Sequence, residues 1–246
     1  MKKDSFISLL PRTIKANMRE RYIFNFKIKP DKLAAKLPVP WLEPQIINDW
    51  SVVSFCILWL EKISLSPIPP IIPFHTISCA YRIGVIDTSG AKPEPSVYIT
   101  DRYADLPIIA KLSPWIMLDT IPIVKAAVGH TGENTFVQMS LPNEEHLFSA
   151  DISPASNGFH SDKFNSVDDF AEFIKKGVTS YAPSIFPDKY AKVDLKKEDK
   201  LYEPLNANIE HSGLSISWAD AGMVFDSAVR ATGALYQWTY RGLWTS

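Results

Sequence analysis

Hydrophobic and polar residues alternate with a period of two over much of this chain, as half-buried β-strands require. IFNFKI at 23–28 sets Phe24, Phe26 and Ile28 against Ile23, Asn25 and Lys27. The clearest case runs from His75 to Tyr103, HTISCAYRIGVIDTSGAKPEPSVYITDRY, and predicts two strands joined by a polar turn. Cys79, Tyr81, Ile83 and Val85 fall on one face of the first strand, and Ser78, Ala80, Arg82 and Gly84 on the other. Gly90, Pro93 and Pro95 interrupt any ladder in the connection. The second strand, SVYITDRY, is rich in β-branched and aromatic residues and runs into Asp101 and Arg102. WSVVSFCILWL, from Trp50 to Leu60, is the most apolar run and predicts a strand buried on both faces. Further strands are predicted over 135–141 and 147–152, and strand-like material returns in NANIEHSGLSISW, MVFDSAVRA and the aromatic tail YQWTYRGLW.

Helical spacing is scarce. Pro30 opens a short helix, PDKLAAKL, that Pro38 and Pro40 end. A second helix is predicted over 167–181, with Ser166 as N-cap and Asp169 three residues on. Val167, Phe170, Phe173, Ile174 and Tyr181 form its apolar face, with Lys175 and Lys176 opposite. Short helical turns are expected between Ala104 and His130, where Pro107, Pro114 and Pro122 break the chain. RTIKANMRERY, 12–22, is polar and basic and reads as a short helix or an extended arm on the surface. The charged stretch at 193–197, with Asp194, Glu198 and Asp199, reads as a solvated loop. SPIPPIIPF, 66–74, holds four prolines and reads as a stiff extended crossing, either a connector or the rim of a pocket. The pattern as a whole predicts a mainly β (β-rich α+β), antiparallel architecture with few helices, forming a single domain over 1–246.

Composition narrows the function classes. Of 246 residues, 46% are hydrophobic and 22% charged, which is globular and not disordered. A net charge of −1 gives no electrostatic footprint for nucleic acid. No run nears the apolar length of a membrane span, and the five apolar residues before Pro11 are too short for a secretory signal. A cytoplasmic location without membrane partners is the expectation. Cys56 and Cys79 lie in apolar strands and read as buried thiols, poor nucleophiles because burial raises their pKa.

The five histidines (His75, His130, His146, His160 and His211) show no metal-ligand spacing, and no phosphate- or dinucleotide-binding motif is present, so no metal and no cofactor are expected. The remaining constellation is Arg82, Asp101, Arg102 and Asp105. An arginine midway along an otherwise small and apolar strand face needs a partner. Two readings stand: Arg82 clamps a carboxylate or phosphate, with Tyr98, Arg102 and Tyr81 beside it, or Arg82 and Asp101 make a cross-strand ion pair. Tyr181 and Trp238 line a pocket or belong to the core.

Several of these segments, in order, resemble a bacterial family of unknown function in the acetoacetate decarboxylase-like superfamily. They are NFKIKPD at 25–31, AYRIGV at 80–85, SVYITDRYAD at 96–105, FIKKGVTSY at 173–181, EPL at 203–205, FDSA at 225–228 and QW at 237–238. The resemblance implies a barrel- or cone-like fold enclosing a pocket. In the decarboxylases of that superfamily a lysine of a Pro-Lys-Lys segment forms a Schiff base with a β-keto acid. The matching segment here is SPWI, 113–116, with Trp115 at the nucleophile's place, and Ile77 or Ser78 stands where an acid is expected. Lys111 is the nearest lysine and the one weak catalytic candidate. The expectation is a protein that binds a small anionic or carbonyl-bearing molecule in a central cavity without Schiff-base decarboxylation. The alternatives are a lyase acting on a small keto acid, with Lys111 or a histidine doing acid–base work, and a structural or partner-binding β protein. On that last alternative the aromatic tail from Tyr236 to Trp244 is the place for an exposed apolar patch, and its truncation would change the oligomeric state of a homo-oligomer.

Overall fold

A computed structural model describes residues 12–66, 74–198 and 201–245. Strand β1 (Thr13–Ile28) pairs along one edge with β3 (Ser51–Ser66) and along the other with β12 (Val224–Thr245), both antiparallel. From β3 the ladder continues through β4 (Phe74–Asp87), β5 (Glu94–Ala104), β9 (Thr179–Pro183) and β10 (Lys189–Lys197), and then returns to the C-terminal half of β12. These seven strands therefore close a ring, which removes the unpaired edges an open sheet would present. Between the named strands only the β5–β9 pairing is parallel, over Ser96–Thr179 to Tyr98–Tyr181. β12 is long enough to branch. Its N-terminal part pairs with β11 (Leu201–Ser212), which leads on through β8 (His146–Pro154) and β7 (Asn134–Ser140) to β6 (Lys125–Thr131). The short β2 (Leu42–Pro44) adds to the end of β4.

Burial on two faces explains the long apolar strands. Toward the inside of the ring lie Ala16, Met18, Cys56, Leu58, Leu60, Leu195 and Tyr236. On the other face Tyr22, Phe24, Phe55, Tyr81 and Ile83 pack against Val137, Met139, Phe148 and Ile152 of the β6–β8 flank. β3 is therefore buried at every position from Ser51 to Leu58, apolar except at Ser51 and Ser54, as the run at 50–60 predicts. Phe148 joins flank to ring, stacked on Phe55 with centroids 4.3 Å apart and tilted against Phe24 at 4.7 Å. Asn25, fully buried, donates from Nδ2 to Ser227 Oγ at 3.1 Å and accepts from Ser54 Oγ at 2.8 Å, tying three ring strands together.

Four helices fill the connections among the described residues: α1 (Pro30–Ala34), α2 (Pro107–Ile116), α3 (Val167–Lys176) and α4 (Gly213–Ser217). α3 starts as predicted, with Ser166 Oγ accepting from the Asp169 amide at 3.1 Å. It presses Phe170 and Phe173 into the ring's inner cluster, where Phe173 lies over Gly84. It stops at Gly177 and does not reach Tyr181. The chain there passes so close to β5 that a Cβ on Gly177 would stand 2.9 Å from Val97 Cγ2. Tyr181 instead belongs to β9 and is fully buried.

Three other expectations are corrected. Residues 13–22 are the first half of β1, with Ala16, Met18 and Arg21 facing inward, so their polarity does not make a surface arm. The stretch at 193–197 is the end of strand β10, with Val193 and Leu195 buried and Asp194 and Lys196 on the opposite face. The aromatic tail is ring, not surface: Tyr236 and Tyr240 are buried in β12. Of the proline-rich crossing, residues 67–73 lie outside the described set. No helix among the described residues is long and apolar enough to cross a membrane. The fold is mainly β, a largely antiparallel twelve-stranded sheet with few helices.

Truncating Phe148 should loosen the flank from the ring. Phe148→Ala is expected to cost about 3–5 kcal/mol, read as a lower urea midpoint at unchanged slope.

Candidate functional site

A cavity of about 160 Å³ occupies the inside of the ring. Every ring strand contributes to its wall, from Ile14 of β1 and Leu58 of β3 round to Leu195 of β10 and Trp238 of β12. Ile109 of α2, with Met117 and Ile121 just beyond it, covers one side. The lining is overwhelmingly apolar, and the charged side chains in it are Arg82 and Arg102.

A β-bulge places both arginines there. β4 and β5 pair Ile83 with Tyr98 and Arg82 with Ile99, but then Tyr81 with Asp101 and Ala80 with Arg102. Thr100 is the extra residue. Directly opposed residues of an antiparallel pair share a face, and one inserted residue reverses the parity beyond it. Ile99 and Arg102 therefore both face the cavity, whereas an unbroken register would have turned Asp101 inward in place of Arg102. The same step puts Asp101 opposite Tyr81, so the cross-strand Arg82–Asp101 ion pair does not form.

Arg82 consequently has no carboxylate beside it. Its Nε is buried and makes no hydrogen bond among the described residues. Burial, followed by the positive charge of Arg21, holds its pKa below the ordinary arginine value, and Arg102 acts in the same direction. Arg21 of β1, 1% exposed, lies on the same side and donates to Tyr236 Oη and Cys56 Sγ, each at 3.3 Å. Arg102 is balanced by Asp119, whose Oδ2 stands 2.6 Å from its Nε. The two atoms are close but misaligned, and neither completes a hydrogen bond. Burial raises the Asp119 pKa by more than Arg102 lowers it. On its far side Arg102 borders a second, polar hollow of about 260 Å³, lined also by Thr100, Asp119, Thr120 and Ser184.

The other candidates fall elsewhere. Tyr98 shares the face of Ile83 and packs near Tyr190, away from Arg82. Tyr81 lies on that face too, donating to the Leu147 carbonyl at 3.0 Å, and burial pushes its pKa up to about 12. Lys111 is exposed on α2 and does not reach the cavity, and Trp115 is 64% exposed. Among the described residues no lysine and no histidine lines the cavity. Tyr181 donates from its buried hydroxyl to Asp87 on the outer face, whereas Trp238 does line the cavity. Cys79 reaches the wall, its thiol pKa pushed up by burial. No three His, Cys, Asp or Glu side chains gather as a metal site among the described residues. Sequence reasoning missed Asp119 and Tyr103, because nothing local marks the bulge or the return of the chain past α2.

No protein-family model and no curated protein matches the sequence. Solved structures do match over nearly the full length. The chain is similar to acetoacetate decarboxylase from Legionella pneumophila, with a TM-score of 0.63, 13% identity, and coverage of 94% of this chain and 88% of that one. It is also similar to an acetoacetate decarboxylase-like enzyme from Sphingomonas wittichii RW1, with a TM-score of 0.62, 8% identity, and coverage of 96% and 94%. A third match is the enduracididine biosynthesis enzyme MppR complexed with pyruvate, with a TM-score of 0.59, 12% identity, and coverage of 96% and 91%. At these identities the likeness establishes the fold.

An unpaired cation in an apolar wall costs stability when nothing occupies the cavity. Arg82→Met should stabilise the free protein by about 1–3 kcal/mol in urea unfolding.

Proposed function

On this acetoacetate decarboxylase-like fold, we propose that the ring binds one small organic acid, its carboxylate on Arg82 and its carbon chain against the apolar wall. The observation that carries the reading is Arg82 itself, a half-buried arginine in the cavity wall whose Nε is buried, with no acid beside it among the described residues. A planar fork of donors suits a carboxylate, and a desolvated charge gains most from a partner of opposite sign. Size narrows the ligand. A dry cavity of about 150 Å³ holds benzene, so 160 Å³ suits an acid of comparable bulk. That MppR is described with pyruvate supports a carbonyl-bearing acid as one member of the class.

Schiff-base decarboxylation does not fit the wall. A lysine nucleophile needs to be inside, desolvated, to be uncharged at neutral pH. The described lining holds none, and Lys111 stands in solvent. The reading is therefore binding without an imine step.

The test pairs wild type with Arg82→Met, using butyrate and 2-oxobutyrate as probes in thermal unfolding and native mass spectrometry. Both acids should raise the wild-type Tm with concentration, the added unfolding free energy reaching about 2.7 kcal/mol at a hundredfold excess over Kd, and leave Arg82→Met unmoved. Equal stabilisation of the variant would overturn the assignment. Acetoacetate with borohydride should leave the protein mass unchanged, and a covalent adduct would instead establish the lyase alternative.

A further inference from the structure

Arg82 and Arg102 face one cavity, yet only Arg102 has a carboxylate of the protein beside it. We infer that Asp119 is a specificity residue: it takes the place of a second ligand carboxylate on Arg102, so that the cavity accepts monocarboxylates and rejects dicarboxylates. The inference rests on the binding role proposed for Arg82.

Three observations carry it. The first is charge. Arg102 and Asp119 sum to zero, which leaves the wall with the single positive charge of Arg82 to be met by a ligand. A ligand with a second carboxylate would bring an uncompensated negative charge into a largely apolar space, against an Arg102 already neutralised by Asp119 on its far side. The second is donor geometry. Nε and Nη2 of Arg102 are buried without hydrogen bonds even though Asp119 Oδ2 is 2.6 Å away. Asp119 thus occupies the Nε side of the guanidinium and neutralises it while leaving its donors without a completed hydrogen bond. The third is backbone placement. Leu118 is held at φ 52°, a left-handed conformation unusual for leucine. Its carbonyl accepts from the Ile185 amide at 2.9 Å, and Asp119 bridges to Ser184. The backbone that carries the carboxylate is thus tied to the Ser184–Ile185 segment and does not sit on a free loop. Strain of this kind persists where the surrounding structure holds it.

Butyrate and succinate make a matched pair, equal in carbon count and different in one carboxylate. Calorimetric titration of wild type should show butyrate binding and succinate at least about tenfold weaker. Asp119→Asn frees the fork, and succinate should gain about tenfold relative to butyrate. In the double variant R102M/D119L both charges are gone, so nothing is left buried and unpaired and folding is preserved. That protein has neither charge of the pair and should show no gain in the succinate-to-butyrate ratio. Wild type that takes both acids equally, a folded Asp119→Asn with an unchanged ratio, or a double variant that gains succinate as Asp119→Asn does would each overturn the inference while Arg82 keeps its role. Should neither acid bind wild type, the Arg82 reading itself fails, and the inference with it.

Discussion

Closure of the ring is the constraint from which the remaining features follow. β12 supplies both ends of it, pairing with β1 from Thr239 back to Val224 and with β10 from Thr245 to Tyr236. With both edges of β12 satisfied, each ring strand has one face toward a small enclosed space and the other toward solvent or the β6–β8 flank. A seven-stranded ring is too narrow to be a channel and too wide to be filled without large side chains. Phe170 and Phe173 of α3 and Tyr236 take up part of the inside. What they leave is the cavity.

The inside of such a ring is a low-dielectric place, so any charge there must be accounted for. Tyr236 and Cys56 receive Arg21, and Asp119 balances Arg102. Arg82 is the exception, and its position follows from one inserted residue. Without the bulge at Thr100, Asp101 would lie on the cavity side two positions from Ile99, within diagonal reach of Arg82. The bulge thus does two things at once: it takes a carboxylate away from Arg82 and brings a second guanidinium in. Bulges next to sites re-aim side chains in this way.

How much of this is legible in the sequence depends on whether the signal is local. The hairpin from 75 to 103 and the doubly buried strand at 50–60 are read directly from period and composition, and Arg82 stands out because a charge interrupts a small-residue face. The N-cap of α3 is equally local. Polar residues facing a ring interior defeat the same logic. Arg21 makes 12–22 look like a surface arm, although it is 1% exposed. The charges of β10 make a strand look like a loop, because only three residues, Ala191, Val193 and Leu195, carry its buried face. Tyr98 and Tyr81 were placed beside Arg82 by proximity along the chain, but parity puts them on the opposite face. Register across a bulge is a property of two strands together, so no single-strand pattern reveals that Arg102 and not Asp101 turns inward.

The same fold holds acetoacetate decarboxylases and the enzyme MppR, and a shared ring does not by itself carry their chemistry. What the ring provides is an enclosed apolar volume with strand ends and crossings around it, into which few residues need project to define a reaction or a ligand. In this chain the projecting groups are guanidiniums, a thiol whose pKa is raised by burial, and aromatic rings, with no amine in the described lining. A guanidinium is a poor nucleophile and a poor proton donor at neutral pH because it stays protonated, but it is well suited to holding a planar anion by two parallel hydrogen bonds. The binding role proposed for this wall therefore turns on Arg82, which the bulge leaves without an acid beside it among the described residues.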